Sequence, residues 1–147
     1  MGPNLLRRAL ICLAVTLTVG CQAIGQSSNV VRFSGNLSGA QQVPAVVTDG
    51  KGTIEATFDK ATNILKWKVV HSGLSGPARA AHFHGNADPG QVVGVVLGFK
   101  SAESPIEGEA TLTPEQASNL LAGKWYVNVH TAKNPGGEIR AHMVPMN

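Results

Sequence analysis

Residues 125–143 read WYVNVHTAKNPGGEIRAHM. Side chains alternate across a strand, so Trp125, Val127 and Val129 fall on one face and Tyr126, Asn128 and His130 on the other. Beyond Asn134-Pro135-Gly136-Gly137 the same period returns: Ile139, Ala141 and Met143 oppose Glu138, Arg140 and His142. Two glycines permit a tight turn. The segment therefore reads as two antiparallel strands with an apolar and a polar face, which places the chain among the β folds.

Working outward, strand-like runs bounded by Gly, Pro and Asn cover 30–37, 52–58, 64–71, 78–84, 92–99, 107–112, 124–131 and 138–144. Eight short strands with turn signals between them predict an all-β, eight-stranded Greek-key barrel or sandwich. One short helix interrupts the series. Thr113 caps it, Pro114 takes the first helical position, Gln116 completes a Thr-x-x-Gln box, and Gly123 stops it.

The chain has 147 residues, 43% hydrophobic and 14% charged, which fits one globular domain. Residues 1–21 differ from the rest, with Arg7 and Arg8 ahead of an apolar run from Ala9 to Val19 that is too short to span a bilayer. This predicts an export signal. Thr18-Val19-Gly20-Cys21 resembles the lipobox of bacterial lipoproteins, which implies lipidation at Cys21 and a membrane anchor; cleavage near Ala23 without an anchor is the other reading. Residues 22–29 form a small, polar tether and 30–147 the folded domain. The implied location is outside the cytoplasm, in the periplasm or on the cell surface.

Cys12 leaves with such a signal, so the folded domain has no internal disulfide. Loss of Arg7 and Arg8 leaves ten basic against nine acidic side chains, a net charge of +1. The basic residues are scattered, which excludes a nucleic-acid footprint. Asn36-Leu37-Ser38 matches a glycosylation sequon, which carries little weight in a chain with a lipobox-like start.

Two of the five histidines stand in Ala80-Ala81-His82-Phe83-His84-Gly85. On one strand face, His82 and His84 have backbones roughly 6 to 7 Å apart, within reach of one metal at about 2 Å from each ring. His130 offers a third imidazole from another polar face, and imidazoles on rigid strands suit copper and zinc. Hydrogen-bonding surface histidines are the plainer alternative. His71 shares a face with Leu65, Trp67 and Val69, which points to a packed role, while His142 shares its face with Arg140.

The stretches FSGNLSGAQQVPAV (33–46), HSGLSGPARAAHFHG (71–85) and LTPEQASNLLAGKWYVNVHTAKNPGGEIRA (112–141) resemble the CHRD domain, a module named from chordin and common in exported bacterial proteins. A weaker similarity is to copper-zinc superoxide dismutases. SGLSGPARAAHFHG resembles their segment leading into a His-x-His pair of copper ligands, WYVNVHT their strand with another copper-binding histidine, and GGEIRA the place of the arginine that attracts superoxide. The second resemblance implies a dismutase-like barrel, His82, His84 and His130 as copper ligands, and Arg140 as the catalytic anion guide.

No histidine lies between Gly85 and Lys124, so the bridging histidine and the zinc site of those enzymes have no counterpart. What the resemblance implies is a copper-only site with superoxide as substrate and His142 or His71 as a fourth ligand. Tyr126 and Asn128 are candidates to fix the imidazole tautomers, or are simply solvated. Arg140 has the alternative of a surface ion pair with Glu138 or a neighbouring acid. Three functions follow: a copper-dependent superoxide dismutase, a periplasmic copper buffer or carrier, and an extracellular interaction module. A homodimer is one possible assembly.

Overall fold

The computed structural model describes residues 29–146. The export signal, Cys21 and nearly all of the tether lie outside that range. The described chain forms nine strands: β1 (Val30–Ser38), β2 (Lys51–Asp59), β3 (Ile64–Ser72), β4 (Ala78–His84), β5 (Val95–Gly98), β6 (Ile106–Thr111), β7 (Tyr126–Thr131), β8 (Ile139–His142) and β9 (Val144–Met146). Helix α1 (Pro114–Leu121) separates β6 from β7, and a 3-10 turn, Gly39–Gln41, follows β1.

The strands run in the order β5-β4-β7-β8-β1-β2-β3-β6, with β9 on β1. Every pairing is antiparallel. The sheet curls at β8 and β1, where a single pair, Ser38 with Arg140, joins the two halves. Their inner faces meet: Trp67 of β3 lies 5.3 Å, ring to ring, from Phe83 of β4. The connections β3 to β4, β5 to β6 and β6 to β7 each cross between halves, in keeping with the all-β barrel or sandwich expected.

Period two explains which side is filled. On β2 and β3, Ile54, Ala56, Phe58, Leu65, Trp67 and Val69 are buried, while Lys66 and Lys68 stand outside, paired with Glu109 and Glu107 at 3.5 and 3.0 Å. Each fully buried large apolar side chain contributes about 1.5 to 3 kcal/mol, whereas exposed ion pairs of this kind contribute less than about 1. The fold is thus held by its interior. Gly108 fits this arrangement, since a Cβ there would stand 2.4 Å from the Trp67 ring.

Helix α1 starts as expected. The Thr113 hydroxyl accepts from the Gln116 amide at 3.2 Å, the Gln116 side chain accepts from the Thr113 amide at 2.9 Å, and Ala117 and Leu120 bury the inner side. Elsewhere the boundaries shift. The strand expected over 138–144 divides at Met143, whose amide donates to Trp125 O at 2.9 Å, and the chain then leaves β7 to pair with β1. The strand expected over 92–99 is confined to Val95–Gly98, and the irregular segment before it supplies Val93 O, which accepts from His84 Nδ1 at 2.8 Å.

Candidate metal centre

Strands β4, β7 and β8 lie side by side with His82 opposite Asn128, Asn128 opposite Arg140, His84 opposite Tyr126, and Tyr126 opposite His142. His130 pairs with Ala80, one step along β4 from His82 on the same face. This register brings three imidazoles together. Ligand nitrogens of His82, His84 and His130 all lie within 4.8 Å of one another, and His82 Nδ1 is 3.2 Å from His130 Nε2.

Main-chain carbonyls decide which nitrogen each ring offers. Because a carbonyl only accepts, His84 must carry its proton on Nδ1, 2.8 Å from Val93 O, and His130 on Nδ1, 2.9 Å from Pro135 O. Both rings therefore turn a bare Nε2 inward. His84 Nε2 is buried and has no hydrogen-bond partner among the described residues, the kind of orphan that calls for an explanation. At 3.2 Å, His82 Nδ1 and His130 Nε2 share either a proton or an ion, so the two compete for one gap.

Burial favours the neutral, ligand-competent form of His82 and His84. Burial, then the neighbouring His130 and His84, lowers the His82 pKa from its ordinary 6.5. Burial also lowers that of His84, against the opposing hydrogen bond to Val93. Nitrogens bound to one ion at about 2.0 to 2.1 Å stand no more than about 4.2 Å apart, so small ring rotations complete the set. The donors fit a late first-row metal: three imidazoles and no carboxylate or thiolate.

The other candidates sit apart. His142 lies beyond Tyr126 and donates from Nε2 to Ala87 O at 3.0 Å, and His71, on β3 in the opposite half, donates to Ala102 O at 2.8 Å. Neither joins the cluster. Tyr126 and Asn128 do not hydrogen-bond an imidazole. Tyr126 stacks on His84 with centroids 4.6 Å apart, and Asn128 accepts from Gln42 Nε2 at 2.7 Å while donating to Gly136 O at 3.4 Å. Both are buried, so solvated positions are excluded as well.

Arg140 stands over Tyr126, its guanidinium carbon 3.6 Å from the ring centroid. Among the described residues it has no carboxylate partner. Glu138, the acid considered for that role, is fully buried and accepts five hydrogen bonds: from Thr48 Oγ1 (2.6 Å), Ser75 N (2.8 Å), Ser75 Oγ (2.5 Å), Thr131 Oγ1 (2.6 Å) and Asn134 Nδ2 (3.0 Å). Sequence reasoning missed this cage, and it missed the Val93 and Pro135 carbonyls. No residue type announces a carbonyl acceptor.

A curled antiparallel sheet, a half-barrel, with a tri-histidine cluster on one outer face defines the class. The family model for the CHRD domain matches residues 33–143, and the chain belongs to that family. CHRD domains occur in extracellular or secreted proteins. Neither the curated proteins nor the solved structures gave a match. Among the described residues, no helix is long and apolar enough to cross a membrane.

Proposed function

We propose that this is an exported copper-binding protein that dismutates superoxide at a copper-only site formed by His82, His84 and His130. The observation that carries the reading is the convergence of three imidazoles, two of them with the outward proton committed to a carbonyl and Nε2 left bare. Copper held by these three imidazoles would supply a one-electron couple, by which one superoxide would be oxidised to dioxygen and a second reduced, with two solvent protons, to hydrogen peroxide. The lack of any histidine between Gly85 and Lys124 argues against an adjoining zinc site. Retention at a membrane through Cys21 belongs to the same proposal and rests on the lipobox-like pattern.

Arg140 is the anion guide in this reading. Its backbone lies two strand spacings from His82, roughly 10 Å, and its guanidinium stands over Tyr126, which stacks on His84. Burial lowers its pKa, but a guanidinium stays charged at neutral pH. Uncompensated by a carboxylate among the described residues, that charge draws anions towards the cluster. A second reading, a copper carrier without turnover, is favoured by the 3% exposure of Arg140, which limits its reach to an incoming anion.

The test loads the protein with Cu(II) or Zn(II) and follows metal content and superoxide consumption. One copper per chain, turnover with copper only, weakened binding in His130→Ala, and a roughly tenfold slower, less salt-sensitive reaction with copper retained in Arg140→Ala support the dismutase. Copper uptake without turnover supports the carrier. No uptake removes both and leaves an extracellular interaction module.

A further inference from the structure

We infer that Glu138 is the positioning residue for His130, acting through the turn between β7 and β8. The importance of that position rests on the copper reading above. Besides its contact with His82, His130 is oriented by the bond from its Nδ1 to Pro135 O at 2.9 Å, and Pro135 lies in an exposed turn. Something must hold that carbonyl still.

The holding is done on both sides of Pro135. Asn134 is tied through Nδ2 to Glu138 Oε2 at 3.0 Å and through its amide to Thr131 Oγ1 at 3.2 Å. Thr131 Oγ1 in turn donates to the same carboxylate oxygen at 2.6 Å. Gly136 O accepts from Asn128, which Gln42 fixes. Glu138 also receives Thr48 and Ser75, so segments from 43–50, from 73–77 and from the turn meet at one carboxylate. It touches none of the three imidazoles in these contacts and lies eight residues from His130, so its influence on the cluster is transmitted by the turn.

Glu138→Gln isolates this role. With its amide oxygen facing Thr48 and the Ser75 amide, the new NH2 faces Ser75 Oγ, Thr131 Oγ1 and Asn134 Nδ2. The two hydroxyls can rotate to accept, and Asn134 can answer only by turning its amide so that Oδ1 accepts, which gives up the charge-assisted bond to the carboxylate. The tie to the turn is thereby weakened, and Asn134→Ala removes it outright. Groups that orient a metal-bound histidine change metal affinity by roughly 10- to 100-fold when removed.

Two measurements test this on the intact protein: the tautomers of His130 and His71, from imidazole nitrogen NMR after metal is stripped by a chelator, and the Cu(II) and Zn(II) dissociation constants in competition with a chelator. In Glu138→Gln, His130 should lose its single Nδ1–H form and both metals should bind at least tenfold more weakly. His71, in the other half of the barrel, should keep its Nε2–H form, which a general loosening of the fold would not allow. Asn134→Ala cuts the same tie from the turn side, without touching the buried carboxylate, and carries the test if Glu138→Gln does not fold. A locked His130 tautomer in the folded variant overturns the proposal. Should the wild type bind no copper, the copper reading fails separately, and the tautomers still decide the role of Glu138.

Discussion

Replacing Gly137 by alanine should be among the most damaging single-methyl changes in this domain. Gly137 has φ +121°, a conformation that L side chains rarely adopt, and a Cβ there would meet Asn128 Oδ1, Nδ2 and Cγ at 2.3, 2.5 and 2.7 Å. Asn128 has little room to move, being 4% exposed and held by Gln42 at 2.7 Å. The backbone strain costs about 1 to 3 kcal/mol, and displacing a buried, hydrogen-bonded amide costs about another 1 to 3. The two terms share Asn128 and will not add fully, so about 2 to 5 kcal/mol is expected. Against a typical stability of about 5 to 15 kcal/mol, this lowers the melting temperature on the order of 10 °C. Gly136→Ala is the internal control, because a Cβ at Gly136 meets nothing within 4 Å and its φ lies outside the strained range. Urea denaturation followed by the fluorescence of the buried Trp67 and Trp125 measures both variants. Equal midpoints for the two would refute the reasoning.

Two further predictions concern the interior. Burial opposes the charged form of Glu138, but hydrogen bonds from Ser75, Thr131 and Thr48 outweigh it and hold the carboxyl at about 2 against an ordinary 4.5. A depressed folded value means the contribution is full above about pH 4.5 and is lost as the pH falls towards 2; wild-type stability should drop across that window more steeply than that of Glu138→Gln, and parallel curves would count against the cage. Phe83, fully buried on the face opposite His82 and His84, with ring centroids 5.3, 4.7 and 5.6 Å from Trp67, Phe99 and Trp125, should cost about 3 to 5 kcal/mol as alanine. A loss under about 1 kcal/mol in equilibrium denaturation would mean that the two halves do not meet there.

What was legible in the sequence was whatever period two and turn chemistry control. The faces of β4 and β7, the inward Phe83, the capping box at Thr113 and the pairing of His82 with His84 follow from alternation and short-range motifs, whereas the choice of His130 over His71 and His142 comes from the resemblance to copper-zinc superoxide dismutases. The break at Met143 was not legible, because it depends on one main-chain bond to Trp125 and on an edge of β1 free to take β9. Nor were the partners that select the imidazole nitrogens. Tyr126 and Asn128 have the right chemistry and the right face, yet the rings meet the carbonyls of Val93 and Pro135, which come from loops whose course is a tertiary outcome.

Glu138 and Arg140 make the same point more sharply. Two residues apart in the sequence, they offer an ion pair as one alternative. Three loops converge on Glu138 and satisfy its carboxylate with neutral donors, so nothing is left for Arg140, which settles on the face of Tyr126. The separation has a physical consequence. A guanidinium neutralised by Glu138 would project little field, whereas a carboxylate satisfied by hydroxyls and amides leaves the positive charge standing beside the histidines. The cage around Glu138 therefore serves two ends at once: it fixes the turn that orients His130, and it keeps the Glu138 carboxylate from cancelling Arg140.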